Sequence, residues 1–259
     1  MNEGFLKYGI IFLFAFVAEL IDGGIGMGYG VSLTSFLISI GIGTAISSAS
    51  VHISEIFTTL SSGLSHFKMG NFEKKTFLYL AIPGMVGGSL GAYVVSRVQD
   101  FGFIRPFVSG ILLLLGILIV IKFLSKKDFV EQEYKVPRIR RLVPLGFTAA
   151  FIDAIGGGGW GPIATPTLIA SNTHPRKTIG SVNLAEFFVT LSISITFLLT
   201  LPNLDWSLIF PMIIGGIIAA PVSALLTKKL PIKMVGIAVG FLIILLSFRM
   251  ILGALRPFL

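Results

Sequence analysis

Five carboxylic acids, Glu19, Asp22, Glu55, Asp153 and Glu186, stand inside stretches that carry almost no other charge. Two of them introduce glycine-rich runs. Asp22 heads residues 23–30 (GGIGMGYG), and Asp153 precedes residues 156–161 (GGGGWG). Acids in apolar surroundings can act as a proton relay or a coupling-ion site. They can equally cap interrupted helices by accepting bonds from freed backbone N–H groups. Both readings stand for Asp22, Asp153, Glu55 and Glu186; Glu19, whose counterpart in the second run is Ala150, has the weaker claim to chemistry.

The glycine runs also have two readings. Small residues allow close helix packing in membranes, which suits the later pairs Gly87–Gly88 and Gly215–Gly216. Around the two aspartates the glycines are too dense for packing alone, with five in eight residues and five in six. Such a run can unwind, expose N–H groups, and start a new helix near residue 30 or 161. A helix N-terminus binds anions through its dipole and through direct hydrogen bonds. Gly24, Gly26, Gly28 and Gly30, with Gly157, Gly158, Gly159 and Gly161, are therefore candidate anion ligands. Tyr29 and Trp160 sit beside the breaks as gates or as fillers. His52 and Asn183 lie one helical turn before Glu55 and Glu186, on the same face. His52 titrates near neutrality but also suits a hydrogen-bonded core. Ser50 and Ser181, like Thr59 and Thr190, are candidate site hydroxyls or helix-bonding residues.

The surrounding elements are apolar. Of 259 residues 54% are hydrophobic and 12% charged, about half the charge of a soluble domain, and the mean hydropathy is +0.93. Residues 76–96 and 206–227 carry no charge, and each can cross a hydrocarbon core of about 30 Å at ~1.5 Å per residue. The runs are continuous rather than alternating, which excludes a β-barrel. An ionised acid at the centre of a membrane helix costs about 2.5–3.5 kcal/mol, so five of them are costly without a task. The net charge of +8 comes from short loops between apolar runs, and no basic face for nucleic acid is expected. With no cysteine, and with His52, His66 and His174 scattered, no disulfide, metal site or cofactor is expected. The apolar N-terminus leads into Glu19 and Asp22 without a small-residue cleavage site, so it is expected to be a first helix rather than a signal peptide.

The chain is duplicated. Residues 16–61 align with 147–192 at a constant offset without a gap. The alignment pairs Asp22 with Asp153, Glu55 with Glu186, Gly26, Gly28 and Gly30 with Gly157, Gly159 and Gly161, and Thr34 with Thr165. After a small slip, Pro83, Gly87 and Gly88 match Pro211, Gly215 and Gly216. Apolar segments are expected near 5–21, 26–40, 46–65, 76–97 and 103–124, then near 142–155, 160–171, 178–200, 206–227 and 232–253. The first membrane repeat is thus 1–124 and the second 142–259, joined by a basic linker 125–141. The linker's lysines and arginines place it in the cytoplasm. So do the loops carrying Lys68, Lys74 and Lys75, Arg176 and Lys177, and Lys228, Lys229 and Lys233. Both termini then fall outside. Each repeat becomes one short, broken hairpin plus three crossings, and an odd number of crossings makes the repeats inverted. The expected fold is an all-α, polytopic transmembrane bundle of two inverted-topology repeats. Short paired helices at mid-membrane depth must be buried or line a watery cavity, and in such folds they mark the binding site.

At Glu19–Leu20–Ile21–Asp22–Gly23–Gly24–Ile25–Gly26–Met27–Gly28 and Phe151–Ile152–Asp153–Ala154–Ile155–Gly156–Gly157–Gly158–Gly159–Trp160–Gly161–Pro162 the chain resembles the sulfite exporter TauE/SafE family, also called the toluene-sulfonate uptake permeases. Gly180–Ser181–Val182–Asn183 fits as well, and the resemblance covers nearly the whole chain. It implies an inner-membrane transporter, not an enzyme, of sulfur-containing or organic anions such as sulfite, thiosulfate or sulfonates. Direction and substrate vary within that family. The first copy ends GMGYG and lacks the Gly-Trp-Gly-Pro of the second, so the two breaks need not meet substrate equally.

The leading expectation is a secondary transporter, monomeric or homodimeric, in which the glycine breaks cradle a small oxyanion. Protons would be coupled through Asp22, Asp153, Glu55 and Glu186, as the repeats rock about a fixed midplane site. An anion channel is the alternative. An intramembrane aspartyl protease using Asp22 and Asp153 is remote, because neither sits in a Gly-x-Gly-Asp or Tyr-Asp context.

Overall fold

The computed structural model describes residues 3–25, 27–98, 104–125, 137–170, 173, 175–226 and 232–255. Gly26, His174, Lys228, Lys229 and most of the basic linker lie outside the described residues. Among the described residues there are ten helices and no strand. They are α1 (Glu3–Ile25), α2 (Tyr29–Ser39), α3 (Thr44–Lys68), α4 (Lys74–Val98) and α5 (Ile104–Leu124), then α6 (Ile139–Gly156), α7 (Trp160–Ala170), α8 (Pro175–Thr200), α9 (Trp206–Leu226) and α10 (Ile232–Leu255).

Helix α3 is turned inside out relative to a helix of a water-soluble protein. On α3 the buried face carries Thr44, Ser47, Ser48, Ser50, His52, Ser54, Glu55, Thr58 and Thr59, while Phe57, Leu60, Leu64 and Phe67 are exposed. A bilayer imposes this arrangement, because polar side chains must face the bundle and apolar ones meet lipid without cost. Among the described residues, Lys74–Val98 and Lys177–Thr200 are long and apolar enough to cross a membrane.

The hairpins at the glycine runs have unequal arms. α2 and α7 are 11 residues each, about 16 Å long and half a hydrocarbon core. Their partners α1 and α6 have 23 and 18 residues, longer than the expected segments 5–21 and 142–155. Hydropathy sees only the apolar part of a helix. α6 starts at Ile139, among the arginines of the expected linker, and both first arms run on past their aspartates. Glycine weakens a helix by only about 1 kcal/mol per residue, so it does not end one by itself.

The two halves interleave. α4 packs on α6 and α8 of the second half, and α9 packs on α1 and α3 of the first, while α3 meets α8 and α5 meets α10. Exchanging the halves leaves this pattern of main contacts unchanged. Glycines set the close approaches: a Cβ on Gly87 of α4 would lie 2.2 Å from the Phe147 carbonyl oxygen of α6, and one on Gly215 of α9 would lie 2.6 Å from that of Phe12 on α1. The pairs at 87–88 and 215–216 are thus packing glycines, as small residues at membrane helix contacts usually are.

This contact makes a simple prediction. Gly87→Ala forces α4 off α6 and should lower unfolding stability in detergent by about 1–3 kcal/mol. Gly110→Ala on α5, where a Cβ meets nothing within 4 Å, should stay within roughly 0.5 kcal/mol of the parent. Equal melting curves for the two variants would contradict the packing described.

Candidate functional site

Each hairpin breaks in the same way. α1 ends at Ile25 and α2 begins at Tyr29; α6 ends at Gly156 and α7 begins at Trp160, at matching positions of the duplication. The first N–H groups of a helix have no acceptor within it, and here the preceding aspartate supplies one. Asp22 Oδ1 accepts from the backbone N–H of Tyr29 at 3.1 Å. Asp153 Oδ1 accepts from those of Gly159 at 2.6 Å and Trp160 at 3.1 Å. The Asp153 carbonyl also takes the N–H groups of Gly157 and Gly158, at 2.6 and 3.1 Å. The turn needs left-handed backbone: φ is 68° at Gly157 and 150° at Gly158, and 125° at Gly28 before α2. A side chain is strained at such angles.

The two breaks touch each other. A Cβ on Gly158 would sit 2.0 Å from the Val31 nitrogen and 2.3 Å from the Gly30 carbonyl carbon. The Thr34 hydroxyl donates to the Gly157 carbonyl across the same contact. Between the breaks lies a small cavity with room for roughly one water. Its polar lining is four acids, Asp22, Glu55, Asp153 and Glu186, and its remaining wall is Gly28, Gly30, Val31, Gly158, Gly159, Gly161 and Pro162. The structure thus brings both halves of the duplicated signature to one point, with no lysine or arginine on the cavity wall among the described residues.

Glu55, 4% exposed, reaches in from α3; its Oε1 would lie 2.7 Å from a Cβ on Gly30, and its buried Oε2 has no hydrogen-bond partner among the described residues. Glu186 enters from α8 and is only partly buried. His52 stands behind the cavity: its Nε2 lies 3.1 Å from Asp153 Oδ2 and its Nδ1 2.8 Å from the Ser48 carbonyl. A carbonyl can only accept, so the ring donates from Nδ1, and the Nε2–Oδ2 contact needs a further proton between the two groups. Ser48 completes this latch by donating to the Ala154 carbonyl at 2.6 Å. The second half has no equivalent. Asn183, the match of His52, donates to Ser62 at 2.9 Å rather than to Asp22.

Other candidates lie off the cavity. Ser181 takes the Glu73 N–H at 2.9 Å and so braces the start of α4. Ser50 is buried with no hydroxyl partner among the described residues, and Glu19 is buried one turn before Asp22; neither lines the cavity. Tyr29 and Trp160 are anchored across the halves. The Tyr29 hydroxyl meets Ser54 at 3.0 Å and donates to the Met212 carbonyl at 3.3 Å. The Trp160 ring lies 3.1 Å from where a Gly84 Cβ would be, and its Nε1–H donates to the Val182 carbonyl at 3.2 Å. Gly84 and Met212 are themselves matched, each following the paired Pro83 or Pro211. Gly24 falls within the last turn of α1, and Gly26 is outside the described residues. Sequence reasoning missed Val31 and Pro162 on the wall, which carry no chemical signal. It also missed the bridge from Thr34, although the match of Thr34 with Thr165 was visible. Among the described residues no group of three His, Asp or Glu side chains is arranged to hold a metal ion.

Comparison with known proteins places the chain among membrane transporters. Residues 11–250 match the family described as sulfite exporter TauE/SafE. The chain is 41% identical to the "Probable membrane transporter protein YtnM" of Bacillus subtilis (strain 168), over 96% of this chain and 84% of that one. It is 27% identical to the "Probable membrane transporter protein YdhB" of the same organism, over 86% of this chain and 89% of that one. No solved structure matches.

The cap geometry can be separated from the charge. Asp153→Asn and Asp153→Ala both remove the charge, but only asparagine keeps an oxygen for Gly159 and Trp160. The alanine variant should be less stable than the asparagine variant by about 1–2 kcal/mol in detergent melts. The corresponding gap at Asp22, with one such bond, should be smaller. Equal stability of Asp153→Asn and Asp153→Ala would contradict the capping role.

Proposed function

The chain belongs to the sulfite exporter TauE/SafE family and is a membrane transporter, not an enzyme, and from that premise we propose that it is a proton-coupled carrier of a small sulfur-containing or organic oxyanion. The observation that carries the reading is the single cavity where both glycine breaks and four acids meet. The N-terminal turns of α2 and α7 wall this cavity, and such turns favour a negative ligand. The acids oppose an anion unless they are neutralised. Anion entry and proton uptake are thereby tied together, with Glu55 and Glu186 as the exchanging groups and Asp22 and Asp153 holding the breaks in shape. Thiosulfate, sulfite and sulfonates present the compact, multiply accepting oxygens that backbone donors suit.

In this reading the halves are inverted across an inner membrane, with the basic linker in the cytoplasm and both termini outside. The interleaved pairs α4–α6 and α9–α1 move as bodies about the contact between the breaks. Access alternates by rocking rather than by opening a pore.

Reconstituted protein should show saturable counterflow of labelled thiosulfate, sulfite or a sulfonate, and no single-channel currents. An inward proton gradient should drive accumulation by up to about tenfold per pH unit for one coupled proton. Glu186→Gln should lose most of that pH-driven accumulation. Currents in place of counterflow would favour a channel, and full pH-driven accumulation by Glu186→Gln would remove this glutamate from the coupling.

A further inference from the structure

The cradle between the breaks already holds a carboxyl group of the protein's own. Glu55 reaches from α3 to the first turn of α2, where its Oε1 and the Cα of Gly158 lie 2.7 and 2.9 Å from the point a Gly30 Cβ would occupy. The side chain is almost fully buried and lines the cavity, and its Oε2 has no hydrogen-bond partner among the described residues. The two aspartates differ from it, because their carboxylates are engaged by backbone N–H groups and, for Asp153, by His52. The space left is about one water, too little for thiosulfate or a sulfonate. Whatever favours a carboxylate at these helix N-termini also favours an oxyanion, so the two compete for one place.

We propose that the Glu55 carboxylate is a tethered stand-in for the transported anion, occupying the glycine cradle until it takes up a proton and leaves so that the anion can enter. This rests on the anion-carrier reading above and specifies how that site is gated. The proton comes from the aqueous phase that supplies the anion, and one proton is bound for each anion. The ionisable groups facing Glu55 are Asp22 and Glu19 of α1, Tyr29 of α2, Asp153 of α6 and Glu186 of α8, with His52 on its own helix. The other helices packed on α3, namely α4, α5 and α9, place no ionisable side chain on the cavity among the described residues.

The test is binding of thiosulfate and of benzenesulfonate to the full chain in detergent at pH 5.5, 6.5 and 7.5, a range in which both probes stay fully ionised. Wild-type affinity should fall by about tenfold per pH unit, as one linked proton requires. Glu55→Gln, neutral throughout, should bind at least tenfold more tightly at pH 7.5 and lose this slope. Glu55→Asp keeps the charge but withdraws it by one methylene, and should bind with intermediate affinity; it decides the matter if the neutral variant does not fold. An unchanged slope or weaker binding in Glu55→Gln overturns the proposal while leaving the carrier reading intact, as does wild-type affinity in Glu55→Asp. Absence of binding by wild type and both variants overturns the carrier reading and this proposal together.

Discussion

A backbone broken inside an apolar bundle must find acceptors for its freed N–H groups, and the rest of this structure follows from how that is done. Water is not available as the default partner, and an unpaired group at such depth costs several kcal/mol. One aspartate per half bends forward over the break to cap the next helix. The acid must therefore be buried, the turn must be made of glycine where φ is positive, and the capped helix must begin with its dipole toward the acid. Two such ends, brought together, make a polar cavity in a chain that is otherwise apolar.

The interleaving of the halves makes the breaks meet. α4 rests on α6 and α9 on α1, each through glycines that bring backbones into contact, so neither half can hold its own hairpin in place alone. Tyr29 and Trp160 reinforce this by docking beside Met212 and Gly84 of the opposite half. Within this shared frame the two caps are not equal. Asp153 is latched by His52 and has both carboxylate oxygens engaged, whereas Asp22 accepts one backbone bond among the described residues, and Asn183, the match of His52, is turned toward Ser62. The break that keeps Gly-Trp-Gly-Pro is thus held by more hydrogen bonds among the described residues.

Much of this was legible in the sequence because duplication leaves identities in register. Asp22 with Asp153, Glu55 with Glu186, and the glycines at matching offsets include residues that the fold gathers around one cavity, and continuous apolar runs point to an all-helical membrane bundle. What the sequence hid has physical causes. Helix ends were misjudged because hydropathy ends where a helix leaves the apolar layer, not where its hydrogen bonds stop, as Ile139 at the start of α6 illustrates. The latch between His52 and Asp153 joins residues 101 positions apart, and its absence from the second half depends on which way Asn183 turns. Ser181 matched Ser50 in sequence, yet one braces the start of α4 and the other has no partner among the described residues, since a hydroxyl's task is set by the helix opposite it. The resemblance to the TauE/SafE family extended to nearly the whole chain, as the family match over 11–250 bears out.

If Glu55 and a transported anion compete for the cavity as proposed, charge would decide which occupied states can move. An anion beside an ionised glutamate at about 4 Å costs roughly 4 kcal/mol at an effective dielectric of 20, or nearly a thousandfold in population. With the glutamate protonated that cost is absent. With the glutamate ionised and the anion gone, the carboxylate would itself occupy the place between the breaks, beside helix ends capped by Asp22 and Asp153. Under the proposal made above, the cradle would have two low-energy states, holding either the Glu55 carboxylate or the anion with Glu55 protonated, and the mixed states would be rare. A carrier that rocks only through its low-energy states cannot leak anion without a proton or proton without an anion. Coupling of that kind would need no separate linkage between distant sites, because two negatively charged groups would contest a single place.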